Sequence, residues 1–139
     1  MRSVRNETGT VTAFVSCFAV ALIAVFGLVV DGGLVLASRR QAFNAADAAA
    51  RAGAQAIDES GLRSGRPVSL DEREATRRAL GHLRLAGLTG TAEVEGDRIT
   101  VHTSTVRSLS ILGFAGVGPI TVRASGSARA VQAVRDGEG

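Results

Sequence analysis

Tryptophan, tyrosine and lysine are absent from this chain, and cysteine and methionine occur once each. Five phenylalanines are all the aromatic side chains it has. Large aromatics supply much of the burial energy of small cores. A core here is therefore built from Leu, Ile, Val and Ala, with modest stability that a partner or a membrane completes. The single Cys17 excludes a disulfide framework. A cleaved lipoprotein signal carries its apolar region before the cysteine, whereas most of the apolar run here follows Cys17. With no lysine, all 16 basic residues are arginine, and the net charge is only +3. Those arginines alternate with Asp and Glu instead of clustering, and no aromatics interleave them, which speaks against nucleic acid as a partner.

What is present in excess is one apolar run. Residues 11–30, VTAFVSCFAVALIAVFGLVV, carry no charge. At 1.5 Å per residue a helix of that length covers about 30 Å, the hydrocarbon thickness of a bilayer. No polar face interrupts it, as one would in a soluble helix, so the run reads as a transmembrane helix over 11–31. A secretory signal has a shorter apolar stretch, and the length favours an uncleaved anchor. Residues 1–10 form a charged leader with Arg2, Arg5 and Glu7. Arg39, Arg40 and Arg51 on the far side outnumber Arg2 and Arg5, and that count leans towards a cytoplasmic C-terminal side.

The helical pattern resumes after Asp31-Gly32-Gly33, whose glycine pair predicts a kink or short break. An Ala-rich helix over 32–60 follows, with Phe43, Ala46, Ala50, Ala54 and Ile57 as its apolar stripe and Asp47 and Arg51 paired at i,i+4. Together the two stretches reach about 70 Å. Gly61 to Pro67 reads as a loop. A second helix opens on a capping box formed by Ser69 and Glu72, buries Leu80, Leu83 and Ala86, and stops at Gly87.

From Thr91 the period becomes two. Residues 92–95 and 98–103 alternate across Gly96-Asp97, a Gly-first pair suited to a type II′ hairpin. Ser108 to Val117 is a short, very apolar segment with one helical turn and a loop. After Pro119, the apolar positions from Ile120 to Ala130 alternate with Thr121, Arg123, Ser125, Ser127 and Arg129. Residues 61–134 thus form a small α+β domain with an antiparallel sheet of about three strands, and 135–139 a disordered tail.

No chemical constellation emerges. His82 and His102 lack partners at metal-ligand spacing, and there is no G-x-S-x-G elbow or S-x-x-K. Gly113, Gly116 and Gly118 lack the context of a phosphate loop. The chain reads as non-catalytic, with no cofactor, metal or small-molecule substrate. Asp31 could serve transport as an intramembrane acid. With one span and no partner charge inside it, an interfacial stop or subunit contact at the membrane boundary Asp31, Gly32 and Gly33 fits better.

Three stretches carry a family resemblance: residues 7–12 opening the apolar run, residues 28–33 leading into the Ala-rich helix that ends at 51–56, and the tail pattern 99–103, 112–119 and 120–125. In that order they resemble the TadE/TadG-like proteins of bacterial Flp (Tad) pilus assembly, pilin-like minor proteins. The resemblance implies one membrane helix with a cytoplasmic N-terminus, an extracytoplasmic domain, and partners among membrane lipid and other pilus-assembly proteins or pilin-like subunits. It makes Gly9 a processing site by position, although the fifth residue after it is Phe14 where prepilin processing involves glutamate. The alternative is a membrane-anchored surface domain that binds an unrelated protein. In either case Leu109, Ile111, Leu112 and Phe114 offer the apolar contact.

Overall fold

The computed structural model describes residues 7–130 of the chain, with side chains from Gly9 onward. The leader arginines Arg2 and Arg5 and the expected disordered tail lie outside the described residues. Helix α1 spans Glu7–Ala54, 48 residues, or about 70 Å. Its N-terminal half leaves large apolar side chains such as Phe14, Phe18, Leu22 and Phe26 exposed. Its C-terminal half forms one wall of a small domain.

The expected break at Gly32-Gly33 does not occur, and the helix runs through both glycines. Neither glycine has any neighbour within 4 Å of where a Cβ would stand. Two helical glycines cost about 1 kcal/mol each against alanine, which does not break a helix held by packing on both sides of them. The helix stops at Ala54, short of the expected position 60. Ile57 instead forms an isolated antiparallel bridge with Leu70. The Asp58 amide donates to the Ser69 carbonyl and the Asp71 amide to the Ala56 carbonyl, at 2.9 and 2.8 Å.

That bridge explains two further departures. The segment expected as a loop starts with a short helix, α2 (Glu59–Arg63), because Asp58 accepts from the Ser60 and Gly61 amides as its N-cap. Helix α3 (Glu72–Leu85) is capped by Asp71, which accepts from the Glu74 amide at 3.0 Å, and not by the expected Ser69–Glu72 box. Ser69 and Leu70 are held extended by the bridge, so the helix starts beyond them. The stop at Gly87 stands: Gly87 has φ +71°, and the Leu88 amide reaches back to the Leu83 carbonyl.

The sheet is antiparallel in the order β1 (Thr89–Glu95), β2 (Arg98–Arg107), β3 (Ile120–Arg129). With the α1 and α3 helices this is the expected α+β fold. Glu95 pairs with Arg98, leaving Gly96 and Asp97 as the hairpin loop. Only Gly96 of the two has positive φ, as a type II′ turn requires. The inward rows are Val94–Ile99–Ala128 and Ala92–Val101–Gly126. Inward-facing Thr103 satisfies its hydroxyl on the Thr89 carbonyl at 2.7 Å.

The sheet lies on α1 and α3 over a core of Ala45, Ala49, Ala50, Leu83, Ile99 and Val101. Small residues set the spacing. A Cβ at Gly126 would stand 2.5 Å from the Asp47 amide nitrogen, so β3 rests directly on the α1 backbone. The buried stripe is accordingly Ala42, Ala46, Ala49, Gly53 and their neighbours, while Phe43, expected within it, is 54% exposed. Asp47 and Arg51 form the expected ion pair at 2.6 Å.

Candidate functional site

Asp31 is the charged residue at the end of the apolar run, and it is 1% exposed. Its place at the boundary predicts an interfacial stop or a subunit contact. Instead, its Oδ1 accepts from the Ser110 amide at 3.0 Å, and its Oδ2 from the Ile111 and Leu112 amides at 3.0 and 2.7 Å. These three N–H groups open a single turn, and the first amides of a turn have no partner within it. Asp31 therefore caps this turn from another element. A charged acceptor suits the task, since hydrogen bonds to ionised groups are the stronger kind.

The turn closes by the same logic at its other end. The Phe114, Ala115 and Gly116 amides donate to carbonyls three residues back, and the Val117 amide reaches the Leu112 carbonyl at 3.1 Å. Gly116 has φ +86°, the left-handed position at which glycine ends such turns. The segment expected to hold one helical turn and a loop is thus built as such.

The four apolar residues assigned to contact diverge here. A Cβ at Gly27 would stand 2.6 Å from Ile111 Cγ2, with Leu112 Cδ2 at 4.0 Å. Ile111 and Leu112 are therefore partly spent on α1, and Leu109 is half-buried. Phe114, by contrast, is 97% exposed. A groove of about 450 Å³ between α1 and the end of β2 is lined by Asp31, Leu34, Ser38, Arg107 and Leu109 among others. Gly32 is half-buried and Gly33 exposed beside Asp31, and Gly9 lies within α1, far down the apolar half. Sequence reasoning picked Asp31 as special but missed its partners, which lie about eighty residues away and leave no local pattern.

Elsewhere the polar groups serve local structure. Asp58 is held below the usual carboxylate range by the Ser60 hydroxyl first and the Gly61 amide next. Glu74 is lowered mainly by its hydrogen bond from Arg78, with Arg77 assisting. His82 and His102 are both exposed, on α3 and β2. Among the described residues, no group of three or more His, Cys, Asp or Glu is placed to hold a metal ion.

An apolar helix with a small α+β domain packed on its C-terminal half defines the class: one helix near the N-terminus that fits a single-pass membrane protein. Residues 9–56 match the family described as putative Flp pilus-assembly TadE/G-like. The match runs over nearly all of α1 and bears out the resemblance there. No curated protein and no solved structure matches the chain.

Proposed function

We propose that the protein is a non-catalytic structural component of a bacterial Flp/Tad-type pilus or of its assembly machinery. It is held in the cell membrane by residues 11–31 and acts through an extracytoplasmic domain. The observation that carries this reading is the division of α1. One continuous helix exposes apolar side chains along its first half and packs its second half under the sheet. Forces on the domain are thereby transmitted to the membrane, or to neighbouring helices, through a single rigid element. The family match over the same helix supports the pilus context. By resemblance the N-terminus is cytoplasmic, and the partners are lipid and other pilus-assembly or pilin-like proteins.

A second reading, an anchored domain serving an unrelated surface protein, is favoured by one fact: the family match ends at residue 56, before α3 and the sheet. Two experiments decide. Deletion of the gene removes surface pili, and the full chain restores them, if the first reading holds; normal piliation of the deletion strain excludes it. In intact spheroplasts, external protease removes a C-terminal tag and leaves a fragment retaining residues 11–30. A protected tag reverses the orientation.

A further inference from the structure

We propose that the turn from Ile111 to Val117 is a second membrane contact, in which Phe114 enters the headgroup–acyl boundary of the leaflet at the C-terminal end of the span. This rests on reading residues 11–31 as a membrane helix.

Position is the first argument. Gly126 of β3 lies against Ala46 and Asp47, whereas Ile111 lies against Gly27. Between those levels β3 and the connection before it descend about 28 Å along α1. The contact with Gly27 is about 4–6 Å inside the end of the apolar run, measured from Val30 or Asp31. If the apolar run sits in lipid, the turn sits at the lipid surface beside it.

Composition is the second. From Ser108 to Val122 the chain carries no charged residue. Arg107 and Arg123 bracket this stretch. Arg107 lines the groove with Leu34 and Gln41, which lie roughly 5–15 Å beyond Asp31 along the helix. That is headgroup depth, where a guanidinium finds phosphate. Phe114 is the most exposed large apolar residue among those described, with Val117 also exposed.

Backbone satisfaction is the third. Irregular backbone enters a low-dielectric layer only when its polar groups are paired. Asp31 takes the Ser110, Ile111 and Leu112 amides, and carbonyls of the turn take those of Phe114, Ala115, Gly116 and Val117. Asp31 therefore has a use beyond holding the loop: it removes three of the amides that would oppose insertion.

The absence of tryptophan makes the test direct. The full chain is reconstituted into phosphatidylcholine vesicles containing a minor fraction of phosphatidylglycerol, as three single-Trp variants. Phe114→Trp probes the turn, Phe18→Trp the span, and Arg63→Trp, on exposed α2 at the far end, the aqueous side. Phe114→Trp should emit blue-shifted and be quenched by lipids brominated near the carbonyls. Lipids brominated near the chain ends should quench Phe18→Trp, and neither should touch Arg63→Trp. Phe18→Trp quenched with Phe114→Trp unquenched and red-emitting overturns the inference while the span stands. A blue-shifted but unquenched Phe114→Trp means the ring is covered by protein, and also overturns it. An unquenched Phe18→Trp removes the span reading and the inference with it.

Discussion

The Asp31 carboxylate accepts the Leu112 amide at 2.7 Å across 81 residues of chain, and with it the two amides before. This contact ties the end of the apolar helix to the connection between β2 and β3. The domain is thereby fastened to α1 at two heights, through Gly126 against Ala46 and through the capped turn against Gly27. A domain fastened at both heights cannot pivot freely about the helix, as the proposed structural role requires.

Asp31→Asn tests that fastening. An asparagine side chain keeps one acceptor oxygen but turns an NH2 group towards N–H donors. Hydrogen exchange of the Ser110, Ile111 and Leu112 amides, followed by mass spectrometry in micelles, should accelerate by about tenfold or more. The amides of Ile99 and Val101 in the β2 core should hold their protection. Unchanged exchange in the turn would show that the carboxylate is dispensable to it.

The start of α3 offers a paired comparison. Asp71→Ala removes the side-chain acceptor for the Glu74 amide and should destabilise the domain by about 1 kcal/mol. Ser69→Ala keeps the carbonyl that receives the Asp58 amide and should be close to neutral. Chemical unfolding of the two variants separates them, and equal losses would restore Ser69 as the cap.

These two sites show where sequence was legible. The apolar run, the alternating strands and the Gly96–Asp97 hairpin follow from periodicity and turn chemistry, and each is found as expected. The inward face of α1 was not legible in full: along Ala42 to Ala54 small apolar residues occur on several sides, and Gly126 of β3 selects the one used. Phe43 consequently faces out. Ser69 and Asp71 are both good caps, and only the Ile57–Leu70 bridge decides between them. Asp31 was legible as unusual, while its partners at 110–112 are a tertiary pairing with no trace in local spacing.

Acid should weaken the domain at two points. Asp58 and Glu74 are both lowered below their ordinary values, so each binds protons more readily unfolded than folded. Their stabilisation is complete above the unfolded values of about 3.9 and 4.3 and fades as pH falls through the lower folded ones. A thermal melt of the full chain in micelles should therefore be flat near neutrality and drop below about pH 4. In Glu74→Gln, which no longer titrates at that position, the drop should be shallower. An identical acid profile in that variant would remove Glu74 from the account.

Glycines in α1 and β3 should respond to alanine with opposite signs. At Gly126 the added methyl would meet backbone atoms of Ala46 and Asp47 at 2.5–2.6 Å. Backbone cannot rotate out of the way as a side chain can, so β3 must lift from α1, with a loss of about 1–3 kcal/mol. At Gly33 the methyl meets nothing within 4 Å, on a helix whose backbone is already regular there. Gly33→Ala should therefore raise helix stability by about 1 kcal/mol. Thermal unfolding of both variants in the full chain reads the two signs. A destabilising Gly33→Ala would mean that the glycine pair works through a bend or a neighbouring helix that the folded chain on its own does not use.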